Sequence, residues 1–367
     1  MLTQENGQRN IYSDLLNQIV RADHPYRKVL EIVNFTSLCK SLHGCYSLDS
    51  GAYGYPIEVG FKCLLLQQWE DLSDREMERL LQENTAAKLF CGFTLTDATP
   101  DHSFFGRMRQ RIGVERLAKL FNQVTEQLRN QKLVSDVFTF VDATAIISKL
   151  SLWKERDKAI EDALKTQKEL QKELKQSELT KEEGPKLSNR NISKYACDKD
   201  AKIGCKGKKK FWFGYKRHHT VDMSSGIITN VKVTPANVPD QKVVGDILPP
   251  HGMLFADKAY DTNAIRDLLR DKNIHSGIIK KNNRKDKDRD KDRWLTSLRM
   301  PYEGIFNFAD KITPYRGLQK VSFHQVLDAL TQNLKRLLKI LLGDTLNWLR
   351  LSCLISRHGL IKLKLTR

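Results

Sequence analysis

The hydrophobic pattern of the sequence changes at Val134, and this change limits the folds that the chain can adopt. Before it, apolar residues recur at helical spacing, for example at Ile57, Phe61 and Leu64, which stand at i, i+4 and i+7. After it, the segment VSDVFTFVDATAII is rich in β-branched and aromatic residues, which predicts a strand. We therefore expect an all-helical domain over residues 1–133, followed by a domain that contains a sheet.

Two helix starts can be recognised in the first region. Ser73 and Glu76 have the S-x-x-E spacing of a capping box. Asp101 precedes a second helix, FFGRMRQRIG. Its candidate DNA-binding residues are Arg107, Arg109 and Arg111. Short helices with a basic member are typical of helix-turn-helix proteins, so residues 1–133 are predicted to form a helix-turn-helix-like domain for DNA binding or dimerisation, with a purely structural scaffold as the alternative.

The second region, residues 134–342, alternates strand and helix patterns. A turn at Gly226 joins KFWFGYKRHHTVD to IITNVKVTP and predicts a hairpin. Further strands are expected at 253–257 and 275–280, and helices at 261–271, 294–306 and 321–342. This order predicts an α/β or α+β domain with a mixed sheet flanked by helices. A charged, helix-prone insertion is expected at about 153–194, and the tail at 343–367 receives no role.

The charge of the chain points to a polyanionic partner. The formal net charge is +18, and residues 198–217 carry eight positive and two negative charges. The candidate DNA-binding residues of this segment are Lys208, Lys209, Lys210, Lys216 and Arg217. A second basic block, at 280–293, alternates in sign and is also typical of a solvated loop. No uncharged apolar stretch reaches 18 residues, so we expect no membrane span and a cytoplasmic location.

Several side chains of the basic segment have two interpretations. Phe211 and Trp212 either stack on DNA bases or pack within a strand. His218 and His219 either approach phosphate or form a polar pair on a strand. A zinc site that combines these histidines with nearby cysteines fits no common spacing, so reduced thiols are favoured.

Two aspartates follow apolar strand patterns in the second region. Asp142 follows FTFV and Asp257 follows MLFA, and a carboxylate at the end of a buried strand lies where ligands commonly bind. Carboxylates gathered in a basic, nucleic-acid-binding cleft are suitable ligands for paired Mg²⁺ ions. Two such ions can support phosphoryl transfer.

A third acid is expected from a helix beside these strands. Glu303 is the candidate, with Arg299 one helical turn before it on the same face. The alternative for Glu303 alone is a surface position on the helix. Asp261, close to Asp257, is instead expected to cap the following helix.

Taken in order, these segments resemble a DDE transposase of bacterial insertion sequences, of the insertion-sequence-five type. The resemblance covers roughly residues 20–342. In the helical region it rests on HPYRKVLEIV, YPIEVGFKCLLLQQWEDLSDREMERLLQEN, FCGFTLTDATPDHS and FFGRMRQRIG. In the second region it rests on FVDATAI, GYKRHHTVD, VTPANVPD, FADKAYD and YRGLQK.

The resemblance implies an RNase H-like catalytic domain with Asp142, Asp257 and Glu303 as catalytic acids and Arg299 as the family's arginine. It implies that the three acids hold two Mg²⁺ ions, for which Mn²⁺ can substitute. The implied partners are double-stranded DNA, as terminal inverted repeats and as target, and a second copy of the chain. The implied activity is cleavage of the transposon ends and joining of the 3′-OH to target DNA, in the bacterial cytoplasm at the nucleoid. Arg316, in YRGLQK, completes the DNA-binding candidates.

The sequence departs from the family pattern around the third acid. Thr296 stands where the family has a tyrosine, and Asp310 stands where it has a lysine. The stretch from Glu303 to YRGL is also several residues short. These departures favour a catalytically impaired remnant that only binds DNA as the first alternative. A non-transposing RNase H-like nuclease is the second alternative, and no RNA-recognition motif supports an RNA-binding protein.

Overall fold

The computed structural model describes residues 11–46, 54–148, 162, 165, 196–206, 210–284, 287–306 and 312–342. The predicted insertion at 153–194, apart from residues 162 and 165, and the tail at 343–367 therefore lie outside the described residues. None of the helices in these ranges combines the length and apolar content that a membrane crossing requires.

The first region is helical, as the periodicity predicts. Its helices are α1 (Ile11–Ile19), α2 (Pro25–Ile32), α3 (Phe35–Cys39), α4 (Ile57–Trp69), α5 (Asp74–Glu83), α6 (Thr85–Cys91) and α7 (His102–Asn130), with a 3-10 helix at Lys40–Cys45. Both predicted starts are confirmed, since Ser73 and Glu76 form the complete capping box of α5 and Asp101 caps α7. Helix α7 is interrupted at Gly113, where the backbone is non-helical (φ 68°, ψ 163°).

The second region builds one mixed sheet. Its strands are β1 (Phe138–Ser148), β2 (Lys202–Lys206), β3 (Lys210–Asp222), β4 (Ile228–Pro235), β5 (Met253–Ala256), β6 (His275–Ile278) and β7 (Ile312–Thr313). The order is β2-β3-β1-β5-β6, with β4 also paired to β3 and β7 to β1. Strand β1 pairs antiparallel with β3 and parallel with β5 and β7. The hairpin predicted around Gly226 is confirmed, since β3 and β4 pair antiparallel.

Three helices complete the region: α8 (Asn263–Asp271), α9 (Arg289–Phe306) and α10 (Leu318–Leu342). Helix α8 packs with Val141 and Leu254 on one face of the sheet. Helix α10 covers the other face and contacts β4, α4 and α7. One continuous hydrophobic core therefore joins the helical region to the sheet, with Phe61, Phe105, Phe140 and Leu330 among its buried members.

The prediction that Asp142 ends its strand is wrong. Strand β1 begins at Phe138 and continues past Asp142 to Ser148. The reason is the antiparallel ladder with β3, which pairs β1 from Thr139 to Ile147. Asp142 lies within this ladder, opposite His219. Asp257, in contrast, does follow the last residue of β5.

Candidate functional site

One edge of β1 carries two short parallel ladders separated by a gap. Strand β5 pairs with residues 138–140 of β1, and β7 pairs with residues 147 and 148. Among the described strands, none pairs with this edge at residues 141–146, while β3 occupies the other edge throughout. At residues 141–146 this edge of β1 therefore has no strand partner among the described residues, directly beyond the end of the β1–β5 ladder.

Asp142 and Asp257 both border this gap. The last pair of the β1–β5 ladder is Phe140 with Phe255, and each aspartate stands two residues beyond its phenylalanine. Side chains alternate along extended backbone, so each aspartate faces the same side of the sheet as its phenylalanine. Both phenylalanines are buried in the core shared with the helical region. Asp257 is still extended (φ −72°, ψ 163°), so the two carboxylates lie on one face.

Local hydrogen bonds orient both carboxylates. Asp142 accepts a hydrogen bond from the Ala143 N–H at 2.8 Å. Asp257 accepts one from the Lys258 N–H at 2.7 Å and so caps the 3-10 helix Lys258–Tyr260. Both side chains are half-buried, which leaves them accessible to a cation or to a phosphodiester.

Helix α9 packs against the strand that carries Asp142. It contacts β1, and Leu295 is buried in the core on the face that also holds Phe140. Arg299 and Glu303 belong to the last two turns of this helix. Their side chains lie outside what the structure describes, so their roles stay predictions. Within the described side chains, no three acidic, histidine or cysteine residues form a group that could hold a metal ion.

Negative charge converges on a buried tyrosine at the same place. The Tyr260 side chain is 2% exposed, and its hydroxyl has no hydrogen-bond partner among the described residues. Burial raises the pKa of Tyr260, and the charges of Asp240, Asp142 and Asp257 raise it further. Asp240 thus adds a third acid to the electrostatic environment of the site. Asp240 and Tyr260 lie within VTPANVPD and FADKAYD, yet only their position in the fold reveals this role.

The histidines and Arg217 on β3 are buried rather than available to DNA. Arg217 is fully buried and forms an ion pair with Asp328, which corrects the prediction that it contacts phosphate. His218 bonds to Thr234 at 2.8 Å, and burial lowers its pKa to about 4. Burial also lowers the pKa of His219 well below its ordinary range. The two histidines therefore form the buried polar pair that was one of their two interpretations.

The remaining basic candidates fall into two groups. Arg109 and Lys216 are tied into the protein, since Arg109 bonds to Asp74 at 2.6 Å and Lys216 to Asp240 at 2.8 Å. The exposed ones are Arg107, Arg111 and Arg316. Lys208 and Lys209 lie outside the described residues, as does the side chain of Lys210.

Asp261 does not cap α8 as predicted, because Thr262 occupies the cap position and accepts from the Ile265 N–H. Asp261 is instead 2% exposed and accepts hydrogen bonds from Arg266, Arg284 and the Lys281 N–H. It thereby ties the start of α8 to the loop that leads into α9.

Two family matches together cover most of the chain, and the second begins after β1, the strand that carries Asp142. Residues 14–111 match a transposase domain (DUF772), and residues 165–340 match a transposase DDE domain. No solved structure matches the chain at a significant level. The first match falls on the helical region, and the second extends from before β2 to α10. A transposase domain followed by a transposase DDE domain indicates that the chain is an insertion-sequence transposase.

Proposed function

We propose that this transposase binds the terminal inverted repeats of its insertion sequence, hydrolyses a phosphodiester at each end and joins the freed 3′-OH to target DNA. The proposal is supported above all by the shared register of Asp142 and Asp257, which puts two carboxylates on one face at the gap in the sheet. Helix α9 adds Glu303 as the proposed third acid. The net charge of +18 suits a DNA substrate.

The carboxylates fit divalent cations. Asp142 and Asp257 offer hard oxygen donors, which Mg²⁺ and Mn²⁺ accept. Burial is the main cause of the raised pKa of Tyr260, and the charges of Asp142 and Asp257 raise it further, so the two carboxylates act on the same place, where a cation would offset their charge. Asp142, Asp257 and Glu303 are the proposed ligands of two ions. Ions bound there would supply Lewis-acid activation of the attacking and leaving oxygens.

The side chains of the chain itself would hold and orient the DNA. The hydrogen bonds from Ala143 and Lys258 keep the two aspartates in one orientation before substrate arrives, which lowers the cost of positioning them. Arg299, one turn before Glu303 on α9, is proposed to hold a phosphate close to the acids. Arg107, Arg111 and Arg316 are proposed to contact the backbone of the DNA farther away. No residue is proposed as a covalent nucleophile.

We also infer the larger organisation from the resemblance and the topology. A mixed sheet whose central strand pairs antiparallel with β3 and parallel with β5 is consistent with an RNase H-like domain over residues 134–342. Residues 1–133 are proposed as the DNA-binding or dimerisation domain. The insertion-sequence-five type and a homodimer in the DNA complex are part of the same proposal, since two ends must be cut together.

The experiment is end cleavage with Mg²⁺ on duplex DNA that carries the flanking inverted repeats. We expect the wild type to cut at the repeat ends. Asp142→Asn and Asp257→Asn should each lose at least about a hundredfold in rate, since even residues around metal ligands cost tenfold to a hundredfold. Asp267→Asn is the matched control, because Asp267 is an exposed aspartate of the same region. Cutting that persists in Asp142→Asn would contradict the proposal.

A DNA-binding remnant is the second candidate function. It is favoured by Thr296, Asp310 and the short stretch after Glu303, which depart from the family pattern close to the third acid. Wild-type protein that binds the repeat ends without cutting them would support the remnant. Recovery of cutting when Asp310 is replaced by lysine would assign the loss to that position.

A further inference from the structure

The basic block at 280–293 has two interpretations from the sequence, a DNA-binding surface and a solvated loop. In the structure this block connects β6 to α9, the helix that contains Arg299 and Glu303. Two of its cations, Arg284 and Lys287, have side chains that are only 28% and 22% exposed, and both form ion pairs with carboxylates. The β6–α9 loop, residues 279–288, therefore has contacts that neither interpretation includes.

One set of contacts fixes the loop to Asp261. This residue stands four positions after Asp257, directly after the 3-10 helix that Asp257 caps, and its side chain is 2% exposed. It accepts hydrogen bonds from the Lys281 N–H at 2.9 Å and from Nε of Arg284 at 3.2 Å. Nη2 of Arg284 donates to Asn263 at 3.0 Å. The loop is thus bonded to the segment that positions the second proposed catalytic acid.

A second set of contacts fixes the loop to Asp292, in the first turn of α9. The Asp292 side chain is 13% exposed and lies 3.4 Å from Nζ of Lys287. It also accepts a hydrogen bond from the Lys280 N–H at 3.3 Å. Nζ of Lys287 donates to the Lys280 carbonyl and, at 2.6 Å, to Asn282. The loop is therefore closed on itself and bonded to the start of α9.

These contacts at the start of α9 bear on the third acid near its end. Asp292 stands seven residues before Arg299 and eleven before Glu303, or about two and three helical turns. Leu295 packs the helix into the core, but apolar packing is non-directional and does not by itself fix a helix along its axis. Hydrogen bonds depend on angle as well as distance, so those at Asp292 do fix it. A misplacement of about 1 Å can cost about a hundredfold in rate.

We propose that Asp261 and Asp292 are positioning residues, which act through the β6–α9 loop to fix α9 so that Glu303 completes the site of Asp142 and Asp257. We call the two aspartates and their partners Arg284 and Lys287 the loop clamp. The inference rests on the proposed function, because it requires that Glu303 acts together with the two aspartates. It assigns the buried cations of the basic block to the geometry of the site and not to contact with DNA.

The test removes the two cations of the clamp and leaves its carboxylates in place. In Arg284→Ala, Asp261 keeps Arg266 as its counter-charge, at 2.7 Å. In Lys287→Ala, Asp292 keeps its backbone donor. Neither variant leaves a buried charge without any partner, so both are expected to fold, and urea unfolding of the full chain checks this.

End cleavage with Mg²⁺ on a terminal-repeat duplex gives the first measurement. In Arg284→Ala and Lys287→Ala, kcat should fall about tenfold to a hundredfold, as for residues around metal ligands. KM for the duplex should change by less than about twofold, because the DNA contacts are unaltered. Arg270→Ala, which removes an exposed arginine paired with Asp267 on the neighbouring α8, should keep both values. A raised KM at unchanged kcat in the two loop variants would make these cations DNA contacts and overturn the clamp.

Mn²⁺ binding without DNA, followed by the electron paramagnetic resonance of the free ion, separates positioning from a general loss of stability. Glu303→Gln should weaken Mn²⁺ binding at least about tenfold in the otherwise wild-type chain. In the Arg284→Ala background the same change should cost less than about threefold, because Glu303 is already out of position. Asp142→Asn should weaken binding equally in both backgrounds.

The outcomes distinguish the clamp from the proposed function. If kcat is unchanged in both loop variants, or if Glu303→Gln costs the same in both backgrounds, the clamp is overturned while the transposase proposal stands. If the wild type binds Mn²⁺ but does not cut the ends, the comparison of the two backgrounds decides for or against the clamp. If the wild type neither cuts the ends nor loses Mn²⁺ affinity with Asp142→Asn, the proposed function fails and the clamp fails with it.

Discussion

Arg217 on β3 and Asp328 on α10 form an ion pair in which the arginine side chain is completely buried. Gln68 of α4 lies 3.5 Å from the same carboxylate, and Gln332 donates to it at 2.7 Å. One aspartate therefore connects the helical region and α10 to the strand that pairs with β1 beside Asp142. The buried guanidinium of Arg217 therefore helps to hold α10 on the sheet through its ion pair with Asp328.

Asp328→Ala should destabilise the protein strongly. The substitution leaves the Arg217 guanidinium buried without its counter-charge, which typically costs ~3–5 kcal/mol. Nε and Nη2 of Arg217 already have no hydrogen-bond partner among the described residues. The double variant Arg217→Met with Asp328→Leu should therefore lose much less than Asp328→Ala alone. Urea unfolding of both variants measures the difference, and equal losses would contradict the prediction.

Gly252→Ala should disturb the start of β5. Gly252 has a φ of +90°, and a Cβ there would lie 2.2 Å from the Asp136 carbonyl oxygen. We expect a loss of more than about 1 kcal/mol in the free energy of unfolding, because the native conformation is incompatible with alanine. Gly245→Ala is the control, since its Cβ would meet only Leu268 at 3.7 Å. If Gly252→Ala and Gly245→Ala lose the same free energy of unfolding, backbone strain at Gly252 does not explain the loss.

Asp261 should make stability depend on acidic pH. Burial alone would raise its pKa, but hydrogen bonds from the Lys281 N–H and Arg284 and the charge of Arg266 outweigh burial and hold the pKa below 3.8. Because the pKa of Asp261 is lower in the folded protein than in the unfolded chain, its contribution to the free energy of unfolding is complete above the unfolded pKa. This contribution is lost as the pH falls through the folded pKa. Asp261→Asn should cost about 1.5–3 kcal/mol at pH 7. The difference in free energy of unfolding between Asp261→Asn and the wild type should decrease below pH 4. Urea unfolding at a series of pH values measures this difference.

His324 should add a second pH dependence at higher pH. Burial lowers its pKa from 6.5 to about 4, with nearby charges from Asp328, Arg217, Asp71 and Arg109 as smaller influences. The unfolded chain therefore binds the proton first as the pH falls. The contribution is complete above about pH 6.5 and declines toward pH 4, by up to about 3 kcal/mol. The variant His324→Gln should show a flatter stability profile over this interval, and an unchanged slope would exclude His324 as its source.

Arg107 and Arg111 should contribute to DNA binding through charge. They stand four residues apart on the exposed side of α7. Replacing either by alanine should lower the slope of log affinity against log salt by about one, because each phosphate contact releases about one counterion. Arg270→Ala is the matched control, since Arg270 is also exposed but belongs to α8 on the other face of the sheet. If all three variants have the same slope of log affinity against log salt, α7 does not belong to the DNA interface.

Much of the fold could be predicted because its signals are local. The capping box of Ser73 and Glu76 and the cap at Asp101 are read within four residues, and both are confirmed. The end of β1 could not be read in this way. It is set by β3, whose first residue, Lys210, lies more than 60 positions after Ser148.

The candidate site shows the same limit. The apolar runs before Asp142 and Asp257 mark both residues, but only the strand register shows that they share a face. Arg217 looks like a surface cation within a basic segment, because its partner Asp328 is 111 residues away. Asp240 and Tyr260 carry no local sign of the charge that gathers around them.

The parallel ladder between β1 and β5 explains how the acids tolerate a separation of 115 residues in the sequence. Asp142 is fixed near the start of β1, whereas the chain leaves this strand at its opposite end, at Ser148, and returns to the sheet at β2. Sequence gained or lost between those two points does not alter the pairing of Phe140 with Phe255. A change in the length of the segment between those two points would therefore leave the geometry of the two carboxylates in place.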